Sequence, residues 1–223
     1  NLTLIETLEI QGEAVRSARQ FVGDRRLFVS PVTLKVQKVN QPPLPDELPS
    51  NVDLRQASLF GACWTVGSIK YLAEAGADGM TYYETTGWKG VMSPGPDVRV
   101  PRVFPVLPSR VYPIYHVLRL VGEFSGGQVR PVSSSATMDV VGIALERSGR
   151  RRLVVANLSQ RRQTVRVVGI KSGAATLFRL NRGNVAAASI DPEVFVRRAG
   201  EPLKIDAGVS VKMSPHEVLA IDQ

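Results

Sequence analysis

The chain has 223 residues, 43 % hydrophobic and 22 % charged, with a mean hydropathy close to zero, a composition typical of a globular protein. No apolar run approaches the ~18–20 residues that span a bilayer, and the N-terminal NLTLIETLEIQGE lacks the basic-then-apolar order of a signal peptide. The single cysteine, Cys63, excludes an intramolecular disulfide framework and a C-x-x-C zinc site. We therefore expect a cytoplasmic protein with no membrane partner, no metal and no other cofactor.

The net charge of +8 invites a nucleic-acid interpretation until the charges are located. Residues 1–127 hold 13 Lys and Arg against 12 Asp and Glu, whereas residues 128–223 hold 15 against 8. Aromatic residues are distributed the opposite way, since 12 of the 14 precede residue 128. Binders of single-stranded nucleic acid combine basic grooves with stacking rings. Because charge and rings are segregated here, we expect no nucleic-acid partner.

The first part of the chain alternates between helix and strand patterns. Thr3 and Glu6 form a capping box ahead of a helix that Gly23 ends. A nearly continuous apolar run at 27–34 then predicts a strand buried on both faces, with a bulge or strand end at Pro31.

A long loop containing four prolines, from Lys35 to Ser50, follows this strand. Asp53, with Gln56 at the reciprocal position, is predicted to cap a second helix that Gly76 ends. A second short strand is predicted at 80–84, followed by a Gly- and Pro-rich loop to about Ser109 and a third helix beginning near Pro113.

Loop lengths in this part are asymmetric, because connections into the two strands are short and those leaving them are long. Long loops at the carboxyl ends of parallel strands are typical of α/β folds that bind ligands there. A complete eight-stranded barrel needs about 250 residues. We therefore predict that residues 1–124 form the C-terminal (β/α) units of a TIM barrel.

From residue 125 onward, alternating apolar residues and tight turns predict an antiparallel β-sandwich over 125–223. The fold class is therefore α/β plus all-β. The predicted strands are 128–135, 138–147, 152–158, 163–170, 174–180, 203–205, 209–213 and 216–221.

The most informative local motif is YYETTGW at 82–88. A carboxylate that ends a buried parallel strand faces the barrel mouth, so Glu84 is the candidate general base, general acid or nucleophile. The alternative is that Glu84 only pairs with a neighbouring Arg or caps a loop amide. Candidate substrate-binding residues are the rings and hydroxyls near the two strand ends: Tyr82, Tyr83, Trp88, Thr85, Ser30 and Thr33.

The two histidines lie in different predicted domains without a recognisable partner. His116 falls in the third helix and His216 in the last strand, so a Ser-His-Asp triad or a His-rich metal centre is not indicated. We expect both histidines, and Trp64 in the second helix, to serve packing.

Four segments resemble the D-apionate lactonase family, a group of glycosidase-like barrel proteins with an appended β domain. The resemblance covers about residues 3–124 and implies hydrolysis of a sugar lactone to its open-chain aldonic acid, with a small carbohydrate or sugar lactone as substrate. For that reaction we expect Glu84 to act as the base or as a substrate-orienting carboxylate. The segments are LIETLEIQGEAVRSARQF, LFVSPVTLK, SLFGACWTVGSIKYLAEAGADGMTYYETTGWKGVM and FPVLPSRVYPIYHVL.

Two other functions remain open from the sequence. A TIM-barrel glycoside hydrolase acting on plant polysaccharide side chains would need a carboxylate at the end of the seventh strand. If the two strands are the seventh and eighth, the seventh ends at Ser30–Thr33 without one. The other is a non-catalytic carbohydrate-binding β domain, disfavoured because only Phe178 and Phe195 are aromatic after residue 128. We expect no activity from the 223-residue chain alone.

Overall fold

The computed structural model describes residues 1–35, 48–95, 109–198 and 200–223. The described residues of its first part form four α-helices, one 3₁₀ helix and four short strands, and its second part is dominated by antiparallel strands. Most of the Pro-rich loop predicted after the first strand, and part of the loop predicted before the third helix, lie outside the described residues. The elements of the first part are α1 (Leu2–Glu6), α2 (Leu8–Val22), β1 (Phe28–Val32), a 3₁₀ helix (Leu54–Ala57), α3 (Leu59–Glu74), β2 (Gly79–Tyr82), β3 (Glu84–Thr86), β4 (Gly90–Met92) and α4 (Pro113–Gly122).

The parallel pairing expected of barrel units is present between β1 and β2. Phe28 lies opposite Gly79 and Val29 opposite Met80, and the register shifts between Val29 and Val32, around Pro31. The irregularity predicted at Pro31 is therefore confirmed.

The prediction that β1 is buried on both faces is wrong. Val29 packs against the core formed with the helices, whereas Phe28 is 61 % exposed and Ser30 is exposed. Successive side chains of a strand point to opposite faces. The face of β1 and β2 opposite the helices is therefore not covered by any of the described residues.

The first two predicted helices begin differently in the structure. The first helix is interrupted at Thr7, and Thr3 lies inside α1 rather than at its cap. Asp53 caps the short 3₁₀ helix by accepting a hydrogen bond from the Arg55 backbone N–H, and Ser58 caps α3. The Gln56 side chain reaches Gly90 instead of completing a capping box, because a longer-range acceptor is available to it.

Helix α3 lies at the centre of the first part. It is buried on nearly all sides, as expected for a helix that is apolar around most of its circumference. Its neighbours include α2, α4 and the sheet of the second part: Gly67 lies against Leu8 and Val141, so a side chain at Gly67 would collide with Leu8.

The second part consists of eight strands and two short helices. Its elements are β5 (Gln128–Arg130), β6 (Val140–Arg147), β7 (Arg150–Asn157), β8 (Gln163–Val167), β9 (Gly173–Leu180), α5 (Val185–Ile190), α6 (Pro192–Arg198), β10 (Gly200–Ile205), β11 (Val209–Met213) and β12 (Val218–Asp222). Six of the strands form an antiparallel sheet in the order β10-β9-β12-β7-β6-β5, and β8 and β11 form a two-stranded sheet. All eight predicted strands are found, some with shorter bounds, whereas α5 and α6 were not predicted from the sequence.

Alternating side chains of the six-stranded sheet contribute to two separate cores. In β7, Val154 and Ala156 belong to the core shared with the first part, whereas Leu153 and Val155 belong to the core beneath the two-stranded sheet. The period of two read from the sequence therefore describes a sheet covered on both faces. No helix in the described part of the chain is long and apolar enough to cross a membrane.

Candidate functional site

The carboxyl ends of β1 and β2 meet at one edge of the first part, because the two strands are parallel. Thr33 follows β1, and its hydroxyl donates to the carbonyl of Lys35 at 2.6 Å. Ser30 lies further back in β1, with its hydroxyl 2.5 Å from that of Thr81 in β2. Both hydroxyls are thus engaged within the protein, and their predicted contact with substrate stays a prediction.

Two consecutive tyrosines attach the end of β2 to α3. The Tyr82 hydroxyl lies 2.8 Å from that of Ser68, and the Tyr83 hydroxyl lies 2.8 Å from that of Thr65. Burial raises the pKa of both phenols well above the usual range, so they remain neutral donors. Their contacts hold the strand end in place, and the substrate-lining role predicted for their rings is a separate prediction.

The backbone changes direction immediately before the candidate carboxylate. Tyr83 has φ of 58°, a left-handed conformation that is uncommon for a residue with a large side chain. Glu84 consequently does not extend β2, as the sequence predicted, but begins the separate strand β3. The hydrogen bond between the Tyr83 hydroxyl and Thr65 in α3 stabilises this unfavourable conformation.

Glu84 forms an ion pair that the sequence analysis did not identify. Its carboxylate Oε1 lies 2.7 Å from Nζ of Lys89, and the two side chains are 49 % and 23 % exposed respectively. The backbone N–H of Glu84 also donates to the carbonyl of Lys89 at 2.9 Å. The alternative from the sequence was that Glu84 pairs with a neighbouring Arg. Its partner is instead a lysine, in the turn between β3 and β4.

The turn that carries this ion pair is held by contacts from two other segments. Gln56 Nε2 donates to the carbonyl of Gly90 at 2.8 Å, and the Tyr112 hydroxyl donates to the carbonyl of Gly87 at 3.1 Å. A side chain at Gly90 would come within 2.6 Å of the Thr86 backbone, so only glycine fits there. Trp88 is half-buried and packs against the core, while Thr85 is exposed.

A second ion pair lies on the chain segment that follows β1 and leads into α3. Asp53, only 6 % exposed, accepts from Arg55 Nε at 2.9 Å and from Nη2 at 2.6 Å, and Arg55 Nη1 donates to Asn1 Oδ1 at 3.3 Å. Burial alone would raise the pKa of Asp53, but the hydrogen bonds and charge of Arg55 outweigh it and lower the pKa. Both carboxylates are thus paired with a cation, but Asp53 is buried whereas Glu84 is half-exposed.

Two cavities among the described residues lie away from Glu84. One, of about 760 Å³, lies between the sheets of the second part, and one, of about 600 Å³, lies between α2, β1 and Trp64. The barrel mouth is normally enclosed by loops from eight strands. Two strands and their described loops present Glu84 on an open edge instead.

The remaining candidate groups take structural positions. His116 is fully buried with Nε2 3.0 Å from the carbonyl of Ala188, and His216 stacks edge-on against Phe60. Trp64 is buried and donates from Nε1 to the carbonyl of Leu4. Within the described ranges, no three His, Cys, Asp or Glu side chains gather closely enough to hold a metal ion.

Comparison with protein families gives two matches that together cover most of the chain. The family model described as D-apionate lactonase, TIM barrel domain, matches residues 1–126. The model described as D-apionate lactonase, C-terminal immunoglobulin-like domain, matches residues 138–221. No curated protein matches the chain.

Solved structures share the fold at low sequence identity. A conserved exported protein from Bacteroides fragilis has a TM-score of 0.61 at 10 % identity, with 100 % of this chain and 43 % of that chain covered. A GH51 alpha-L-arabinofuranosidase from Thermotoga petrophila has a TM-score of 0.60 at 13 % identity, with 99 % of this chain and 49 % of that chain covered. A GH30 endoxylanase from Clostridium papyrosolvens has a TM-score of 0.59 at 8 % identity, with 93 % of this chain and 45 % of that chain covered. The chain thus spans less than half the length of these structures, which support its fold: barrel units followed by an antiparallel β domain.

Proposed function

The chain belongs to the D-apionate lactonase family, and we propose that the whole protein opens the ring of a sugar lactone, of the D-apionolactone type, to give the aldonate. The observation that supports this proposal is the position of Glu84. Its carboxylate is half-exposed at the carboxyl edge of the parallel pair, and it lies on a turn that is held by hydrogen bonds from Gln56 and Tyr112.

The proposed reaction requires one base and one water molecule. Glu84 removes a proton from water as the water oxygen bonds to the lactone carbonyl carbon, giving a tetrahedral oxyanion. When the intermediate collapses, the bond from carbon to the ring oxygen breaks, and that oxygen takes the proton back from Glu84. The released carboxylic acid then loses its own proton to solvent, so Glu84 ends the cycle ionised.

The surroundings of Glu84 suit this role. A base must be accessible to water, and it must be fixed relative to the substrate. Glu84 is 49 % exposed, pairs with an ammonium, and has its backbone N–H tied to the opposite side of the turn. Tyr82, Tyr83, Trp88, Thr85, Ser30 and Thr33 are the proposed substrate contacts.

A side-by-side assay of the whole protein tests the reaction class. Purified protein would be offered a panel of five-membered sugar lactones and a panel of aryl glycosides of the same sugars. We expect acid release from lactones above the spontaneous rate and no aryl release. Aryl release without lactone opening would contradict the proposal and assign glycoside hydrolysis instead.

We further propose that the 223-residue chain alone is inactive and that the whole protein acts in the cytoplasm. The first point is supported by the open edge on which Glu84 lies, because a substrate enclosed on one side only is poorly positioned. Lactone turnover by the purified 223-residue chain at the rate of the whole protein would contradict it.

A further inference from the structure

Among the described residues, Lys89 is the cation that pairs with the candidate base, and its backbone is tied to that of Glu84. Its Nζ lies 2.7 Å from Glu84 Oε1, and its carbonyl accepts the Glu84 backbone N–H at 2.9 Å. The next residue, Gly90, is held by Gln56 and cannot be replaced by a larger residue without displacing the Thr86 backbone. The backbone on both sides of Lys89 is therefore held, and its ammonium lies beside the carboxylate.

Stability does not account for this arrangement. Ion pairs between partly exposed side chains contribute about 0–1 kcal/mol. The contacts that fix the turn instead restrict where the two charges can lie, which is the property that a preorganised electrostatic site requires. An ammonium has three N–H donors, and the pairing with Glu84 Oε1 occupies one of them.

Lactone opening places negative charge on the oxygens of the same carbon at two stages, in the intermediate and in the product. The carbonyl oxygen becomes an oxyanion in the tetrahedral intermediate, and the product is a carboxylate formed next to the carboxylate of Glu84. Like charges that close repel one another, so a cation is needed in the same place. Glycoside hydrolysis yields neutral sugars and creates no such requirement.

We propose that Lys89 is the electrophilic partner of Glu84: its ammonium donates a hydrogen bond to the lactone carbonyl oxygen, stabilises the oxyanion and then holds the product carboxylate. This inference rests on the proposed function and specifies the substrate class of the same site. Substrates are sugars whose reacting carbon is at the oxidation level of a carboxylic acid. Neutral sugars and alditols lack the group that Lys89 recognises.

The test uses the whole protein with Lys89→Met, Lys89→Arg and the matched control Lys204→Met, which removes an exposed lysine in β10. We expect Lys89→Met to lower kcat for the lactone about 10²–10³-fold, the range for loss of one oxyanion donor, with KM changed only a few-fold. Lys89→Arg keeps a cation and should recover part of kcat. Lys204→Met should behave as wild type.

A binding measurement separates this inference from the proposed function. Calorimetry would compare the open-chain aldonate with the alditol of the same sugar. Wild-type protein should prefer the aldonate at least tenfold, and Lys89→Met should bind the two equally. If no lactone is opened by wild-type protein, the proposed function fails, yet an aldonate preference that depends on Lys89 would still support the charged-sugar site. An aldonate preference retained by Lys89→Met, or a kcat within threefold of wild type, would overturn the inference.

Discussion

The two parts of the molecule treat their sheets differently. In the six-stranded sheet, β6 and β7 are covered on both faces by separate cores, and residues such as Ile143 and Val154 are fully buried. In the parallel pair, only the face toward α2 and α3 is covered, and Phe28 on the other face is 61 % exposed. The six-stranded sheet is therefore covered on both faces, on one of them by the helices of the first part, whereas the barrel units leave one face of their parallel pair open.

The largest expected effect compares one apolar residue from each part. Ile143→Ala removes a fully buried side chain from the core between α3 and the sheet, and we expect a loss of about 4 kcal/mol in the free energy of unfolding. Phe28→Ala removes a side chain from the open face and should cost less than about 1 kcal/mol. Urea unfolding of the 223-residue chain measures both. Equal losses would show that the open face is covered in solution.

The joint between the two parts gives the next largest effect. Arg152 is 5 % exposed and bonds Asp222 through Nε and Nη2, each at 2.6 Å, while Nη1 donates to Glu123 at 2.5 Å and to the carbonyl of Leu120 at 2.8 Å. We expect Arg152→Met to cost about 3 kcal/mol, toward the low end for a broken buried pair because both carboxylates still reach water.

Arg151→Met is the matched control for this joint. Arg151 is exposed, and its pairing with Glu146 at 3.6 Å should contribute at most about 1 kcal/mol. A similar loss in both variants would contradict the assignment of Arg152 as the structural joint.

The tyrosine contacts of the candidate site should give smaller losses. Tyr83→Phe removes the donor to Thr65, and Tyr82→Phe removes the contact with Ser68, so each should cost about 1 kcal/mol. In the whole protein, Tyr83→Phe should also lower kcat for the lactone more than Tyr82→Phe does, because Tyr83 precedes Glu84 directly. Thermal unfolding and steady-state kinetics check the two effects, and an unchanged kcat in Tyr83→Phe would remove its positioning role.

The smallest effect is on the pH dependence of stability. Burial lowers the pKa of His116 below its ordinary value of 6.5, and burial likewise lowers the pKa of His216. The unfolded state then binds more protons than the folded state just below pH 6.5, so stability falls as the pH decreases from about 6.5 to 5.5, by roughly 1 kcal/mol or less per histidine.

His116→Leu should flatten this slope, while His216 keeps part of it. The variant also loses the contact with the Ala188 carbonyl and should be less stable at pH 7.5. Urea unfolding at pH 7.5, 6.5 and 5.5 measures both changes. An identical slope in wild type and variant would contradict a neutral, buried His116.

Local patterns in the sequence predicted the β domain well. The alternation of apolar residues predicted the positions of all eight strands, because successive side chains of a strand pack on opposite faces of its sheet. The sequence also predicted α3 and α4. Asp53, predicted to cap α3, instead caps the 3₁₀ helix that precedes it, and α3 begins after Ser58. An apolar run such as that in β1 gives no indication of whether its second face is covered.

The candidate site was predicted only in part. Glu84 was identified from its place after a strand, but the turn that moves it into β3 depends on Tyr83 adopting a conformation normally taken by glycine. Lys89 and Gln56 were missed because their roles arise from contacts between segments, which no local spacing encodes. The glycines at 87 and 90 were the available signal for a tightly constrained turn.

The most direct test of the account is lactone turnover by the whole protein carrying Glu84→Gln, with Glu201→Gln, an exposed carboxylate in β10, as the control. The amide cannot accept the proton from water, so we expect kcat to fall about 10²–10⁴-fold without a change in thermal stability. Glu201→Gln should retain full turnover. Lactone opening by Glu84→Gln within twofold of wild type would contradict the role of Glu84 as the base.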